Sequence, residues 1–114
     1  MKNITRATIK SIIRNGGATI NKYGERVTMK TGYQVSKCDL LIIPVEELDK
    51  LTLKDLLTKL TSRGEYLGVW IDEGKAYIDI SCRIATKCGA MERGRELNQL
   101  SVLRWADMVC VAVN

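Results

Sequence analysis

Apolar and polar positions alternate most clearly between Tyr66 and Ser81, YLGVWIDEGKAYIDIS. Two runs of β-branched and aromatic residues flank Asp72-Glu73-Gly74, the pattern of a β-hairpin. If Glu73 and Gly74 alone form the loop, Asp72 stands opposite Lys75 and Trp70 opposite Tyr77. Leu67, Val69, Ile71, Ala76, Ile78 and Ile80 then share one apolar face, and Tyr66, Trp70, Asp72, Tyr77 and Asp79 the other. A three-residue loop with Gly74 in a bulge would swap the faces of one strand. The apolar pattern favours the first register and the turn chemistry the second. Burial decides most one-residue slips, so the first is expected. The choice fixes whether Trp70 is core or, with Tyr66, an exposed anchor.

Elsewhere the periodicity changes. Ile9, Ile12 and Ile13 give a helical stripe over Thr5–Arg14, stopped by Asn15-Gly16-Gly17. Short strand-like runs follow at Thr19-Ile20, Arg26–Met29 and Tyr33–Ser36, separated by turn-rich segments. Leu40-Leu41-Ile42-Ile43 is continuous and reads as a strand buried on both faces, ended by Pro44, which can open a short helical turn with Glu46 and Glu47. Leu53, Leu56, Leu57 and Leu60 predict a helix over Thr52–Arg63, with Thr52 and Asp55 as a capping box and Gly64 at its end. Thr86 caps a third helix through about Leu97, in which Gly94 implies close packing on the sheet. Leu100–Trp105 and Val109–Val113 read as strands around Ala106-Asp107. The expected fold is a single α+β domain spanning 1–114: a mainly antiparallel sheet with about three helices on one or both sides.

Charge changes the picture more by its distribution than by its sum of +5. Residues 1–37 carry eight Lys or Arg against one acid, residues 38–80 five against nine, and residues 81–114 five against three, giving nets of +7, −4 and +2. Lys2, Arg6, Lys10 and Arg14 recur every four residues and form a basic ridge along the first helix. The charged outer face of any amphipathic helix would look the same. Lys22, Arg26 and Lys30 interleave with Tyr23 and Tyr33, a pattern that suits either single-strand stacking or ordinary sheet packing. Arg83, Lys87, Arg93 and Arg95 make a second basic cluster.

Catalytic signals are sparse. The chain has no His, the commonest general base and metal ligand. Cys38, Cys82, Cys88 and Cys110 lack a C-x2-C knuckle and read as small, mostly buried thiols rather than zinc ligands or disulfides. Asp72, Glu73 and Asp79 are the only carboxylate group worth weighing for Mg2+ or acid–base work, and acids near a hairpin tip are commonly just solvated. No run of about 18 apolar residues is present, and the opening MKNITRATIK lacks a signal-peptide core, so no membrane span and a cytoplasmic location are expected.

The stretch from Gly68-Val69-Trp70-Ile71-Asp72 through Gly74, Tyr77-Ile78-Asp79, Ala90, Gly94-Arg95 and Asn98-Gln99-Leu100 resembles small accessory proteins carried by phages and conjugative elements of bacteria. The resemblance runs from about Leu67 to Trp105. It implies a mobile-element setting in the host cytosol and supplies no catalytic residues. The expected function is therefore non-enzymatic binding without a cofactor, foremost as an inhibitor of a host nucleic-acid-targeting defence system, of the anti-CRISPR or anti-restriction kind. Its partner would be a host protein or a protein–nucleic-acid complex. The alternative is a basic regulatory protein that contacts nucleic acid directly through the Lys2–Arg14 ridge with Tyr23, Arg26, Lys30 and Tyr33.

Overall fold

The computed structural model describes residues 4–60 and 65–113. In chain order its elements are α1 (Arg6–Asn15), β1 (Gly17–Ile20), β2 (Arg26–Val27), β3 (Tyr33–Pro44), α2 (Lys50–Leu57), β4 (Glu65–Asp72), β5 (Lys75–Ile84), α3 (Lys87–Glu96), β6 (Ser101–Arg104) and β7 (Val109–Ala112). The fold is α+β, as expected. All paired strands are antiparallel, and one sheet runs in the order β2-β1-β4-β5-β3-β6-β7.

The β4–β5 hairpin takes the two-residue loop, with Asp72 paired to Lys75 and Trp70 to Tyr77. Glu73 and Gly74 both have positive φ, 49° and 77°. That is the left-handed pair a two-residue hairpin turn needs to match strand twist. Gly74 takes this conformation without a Cβ penalty; Glu73 does so at a cost. Burial of Leu67, Val69, Ala76 and Ile78 on one face outweighs it.

Helices cover only that face. On β5, Ala76 and Ile78 join a core with Ile9 and Ile12 of α1 and Leu53, Leu56 and Leu57 of α2. Farther along the same strand, Cys82 and Ile84 pack with Val35, Val102 and Ala90 of α3. These β5 positions are all even-numbered, so the pleat sends them to one side. α1 and α2 therefore cover one half of the sheet face and α3 the other half. No helix covers the opposite face among the described residues.

Local caps explain where the helices start. Thr5 and Thr8 form a reciprocal capping box on α1, and Gly16 ends it in the left-handed conformation. Ile13 of the anticipated stripe is exposed. On α2 the cap is Asp49, whose carboxylate accepts from the Thr52 amide at 2.8 Å, and not the anticipated Thr52. Asp49 precedes Leu53 by one turn and so reaches the open amides first. α2 ends at Leu57, short of Arg63, and the anticipated Gly64 stop lies outside the described residues. Thr86 caps α3 through the Gly89 amide. A Cβ built at Gly94 would lie 2.9 Å from Val113 and 3.3 Å from Val102, the close packing that the sequence implied.

β3 departs most from expectation. Tyr33–Ser36 and the Leu40–Ile43 run are one strand, with register shifts between Ser36 and Cys38 and between Asp39 and Leu41. Lys37 and Leu40 are the extra residues. Lys37 turns its ammonium to Glu65 at 2.6 Å. Nor is the run buried on both faces: Ile42 is 59% exposed. Only Tyr33 and Gln34 pair with β6, so the rest of β3 is an edge, and its outer face has no helix over it. Pro44 precedes a 3-10 turn, Val45–Glu47, rather than opening it.

Candidate functional site on the open sheet face

The uncovered face is built from alternate residues of the same strands that make the core. Across three neighbouring strands, Ile42, Tyr77 and Trp70 stand in register. They are 59%, 37% and 46% exposed. The next strand contributes Gly17 opposite Trp70, and the indole lies over it: a Cβ there would be 3.3 Å from Trp70 Cε3 and 2.4 Å from the Val69 carbonyl. Gly17 has a φ of 151°, so both space and conformation call for glycine. The result is a row of large apolar side chains on a surface with no helix to receive them.

Beside this row the face becomes polar and concave. Thr19 donates to Gln34 Oε1 at 3.0 Å, and Gln34 Nε2 donates to Ser81 at 2.7 Å. Thr19 is on β1 and Gln34 on β3, with β4 and β5 between them. On a flat sheet the three inter-strand steps alone would put them about 14 Å apart. The two side chains meet because the sheet curls toward its open side over the small residues Gly68 and Ser81. A trough of about 480 Å3 lies in this concavity, with Trp70 and Trp105 among its lining residues.

Asp79 projects into the same region from β5. It pairs with Gly68 on one side and Asp39 on the other. Its Oδ1 would be 2.4 Å from a Cβ at Gly68, so the carboxyl lies directly against the β4 backbone. Burial, and then the charge of Asp39, push its pKa up to about 6. The Ser36 hydroxyl offsets this in part, but the two do not close a hydrogen bond of ordinary geometry. Three buried polar side-chain atoms have no partner among the described residues: Ser36 Oγ, Asp79 Oδ1 and Trp105 Nε1. All three residues line this trough.

Of the basic candidates among the described residues, Arg26 lines the trough and the others lie elsewhere. Arg6, Lys10 and Arg14 are exposed along α1, while Lys2 lies outside the described residues. Arg26 donates to Ser11 of α1, and Lys30 is exposed in the loop before β3. The Lys22 ammonium sits 5.1 Å from the centre of the Tyr23 ring in the Asn21–Glu25 turn. Tyr33 packs against the α3 core, so it is no stacking platform beside Tyr23. Its odd position faces the helix side of β3. Arg93 pairs with Glu96 at 2.9 Å, and Arg83 donates to the Thr31 carbonyl and hydroxyl. Arg95 is exposed on the outer side of α3. The α1 ridge and the Arg83–Arg95 cluster lie over different halves of the sheet, and neither lines the trough.

The carboxylate group does not assemble either. Asp72 and Glu73 are at the hairpin tip, and Asp79 is four residues beyond Lys75, about 13 Å along the strand. Among the described residues no group of three His, Cys, Asp or Glu could hold a metal ion. The cysteines also differ from expectation: Cys38, Cys88 and Cys110 are exposed, and only Cys82 is half-buried. Cys38 lies where β3 has become an edge, and Cys110 is on the edge strand β7. Among the described residues no helix is long and apolar enough to cross a membrane.

Gln34, Ser36, Ser81, Thr19 and Trp105 were not singled out by the sequence. The one available signal was the alternation of small polar residues Gln34, Ser36, Asp79 and Ser81 with apolar ones on strands destined to be neighbours. No protein-family model, no curated protein and no solved structure matches the chain.

Proposed function

We propose that the protein works by binding rather than catalysis, docking onto a partner protein through its open sheet face. The observation that supports this is the in-register row of Ile42, Tyr77 and Trp70, large apolar side chains left without a covering helix. Contiguous exposed apolar surface of this kind marks interaction sites, and Trp and Tyr are the residues most enriched among interface anchors. The preferred partner class is a host nucleic-acid-targeting defence protein or its nucleic-acid complex, inhibited by occupation of its surface. The chain's mixed charge supports contact with a protein surface over wholesale imitation of DNA, which would need a strongly acidic molecule. The exposed Arg6, Lys10 and Arg14 would contribute steering or a second contact.

The test is capture of partners from host lysate by the tagged protein, with and without nuclease, alongside a Trp70→Ala/Tyr77→Ala variant. Docking predicts a nuclease-resistant protein partner that the double variant loses. Recovery solely through nucleic acid, undiminished in the double variant, would replace this reading with direct binding through the α1 ridge.

A further inference from the structure

The row of Trp70, Tyr77 and Ile42 runs out at a sheet edge, and that edge is open. Beyond Tyr33 and Gln34, no strand pairs with the outer side of β3 among the described residues. One bond sets the backbone phase of this edge: the Val45 amide donates to the Gly74 carbonyl at 2.9 Å, continuing the β3–β5 ladder past Pro44. In an antiparallel strand the backbone groups of successive residues point to opposite sides. The amides and carbonyls of Val45, Ile43 and Leu41 therefore face β5, and those of Ile42 face outward. The Pro44 carbonyl faces outward too, and Pro44 has no N–H to leave unpaired there. Leu40 to Pro44 carries no charge, the commonest protection of a natural edge against pairing. We propose that this edge pairs with the same edge of a second copy of the chain, antiparallel and about a two-fold axis at Ile42.

The edge itself selects the register. Two-fold pairing centred on a residue needs an amide and a carbonyl that both point outward. In this run Ile42 meets that need: Pro44 lacks the donor, and Leu40 is the extra residue of a bulge. Each Ile42 then donates to and accepts from its counterpart, and Leu41 stands opposite Ile43 of the second copy. The pleat keeps like with like. Ile42 lies on the open face, while Leu41 and Ile43 lie toward the helices, so apolar side chains meet on both sides of the seam. A different chain would have to bring a matching uncharged run, whereas a second copy brings it by symmetry. The exposed Ile42 gains a neighbour, and the two rows join through their Ile42 ends into one. The other free edges are poorer: β2 has two residues, and β7 has four, with the small side chains of Cys110 and Ala112. The β3 seam is short and below the standard interface size, so the dimer is weak, with a Kd of about 10–100 µM.

This inference does not rest on the docking reading. The dimer needs no host partner, and a monomeric protein would leave the lysate test unaffected. The test is sedimentation of the purified protein from about 5 µM to about 1 mM, with amide hydrogen exchange read by NMR at both ends of that range. The expected result is a reversible monomer–dimer equilibrium. The Ile42 amide should exchange about five-fold or more slowly at the high concentration, while those of Leu41 and Ile43, already bonded to β5, should change little. Ile42→Lys sets like charges across the seam. Ile42→Pro removes the outward donor without taking a bond from β5. Each should leave the protein monomeric at about 1 mM with an unchanged circular dichroism spectrum, and Ile42→Lys alone decides the matter if the proline variant fails to fold. Trp70→Ala/Tyr77→Ala, which leaves the seam intact, should keep the dimer. A parent protein that stays monomeric at about 1 mM would overturn the proposal. So would a dimer that survives Ile42→Lys, or an Ile42 amide whose exchange does not respond to concentration.

Discussion

The two faces of the sheet are made by the same strands and obey opposite rules. On the helix side, Ile12, Ile20, Leu53 and Leu67 are fully buried, and branched aliphatic side chains dominate. On the open side, residues one position away are glycine, serine, threonine, glutamine, aspartate and tryptophan. The helix side hides apolar area and stabilises the fold. The open side exposes apolar area at Ile42, Tyr77 and Trp70 and leaves polar atoms without partners. The open face buries Leu103 and Trp105 at one end and leaves Ile42, Tyr77 and Trp70 uncovered at the other, and that uncovered row is the argument for placing function there.

Five substitutions sharpen this comparison. Leu67→Ala removes a fully buried side chain from the helix face and should cost about 2–5 kcal/mol in urea unfolding. Trp70→Ala, three positions along the same strand on the other face, should cost about 1 kcal/mol or less. Equal costs would erase the distinction between the faces.

The next largest effect concerns Asp79. Unfolded, its carboxyl ionises near 3.8; folded, near 6. Between those values the folded protein binds the extra proton, so stability falls as pH rises through the window. Asp79→Asn removes this dependence and should stabilise the protein at about pH 7.5 by up to about 3 kcal/mol. Thermal unfolding across about pH 4–7 for both proteins checks it; a parent curve that rises with pH while the variant stays flat would contradict it.

Gly94→Ala sets a helix-propensity gain of about 1 kcal/mol against a Cβ placed 2.9 Å from Val113. Overpacking prevails, with a net cost of about 1–2 kcal/mol. The smallest effect is Glu73→Asn, which relieves a left-handed Glu in the hairpin turn and should stabilise by about 0.5–1 kcal/mol, read as a rise in the unfolding midpoint.

What could be read from the chain was local. The hairpin register, the Thr86 cap and the Gly16 stop all depend on residues a few positions apart, and Gly94 was legible because a glycine inside a helix marks close packing wherever its neighbour comes from. The basic residues of α1 were legible for the same reason, since helical spacing alone aligns Arg6, Lys10 and Arg14. The trough was not legible, because its parts come together only through the curl of the sheet: Thr19 and Gln34 are 15 residues apart, and Gln34 and Ser81 are 47 apart. The insertion of Lys37 and Leu40 into β3 also left no local mark. Without those two residues, Leu40–Ile43 looks like a strand sealed on both sides rather than a half-open edge.

Gln34 has a mechanical consequence. Its amide ties β1 to β3 across two strands, much as a string holds a bow in tension. The Thr19–Gln34 bond makes the whole span, and the Gln34–Ser81 bond anchors it to the neighbouring strand β5. Cutting that span would let the sheet relax toward flatness and make the hollow shallower, leaving the rigid helix-backed side unchanged. Removal of one side chain should therefore change the curvature of the open face with little effect on the helix-backed core.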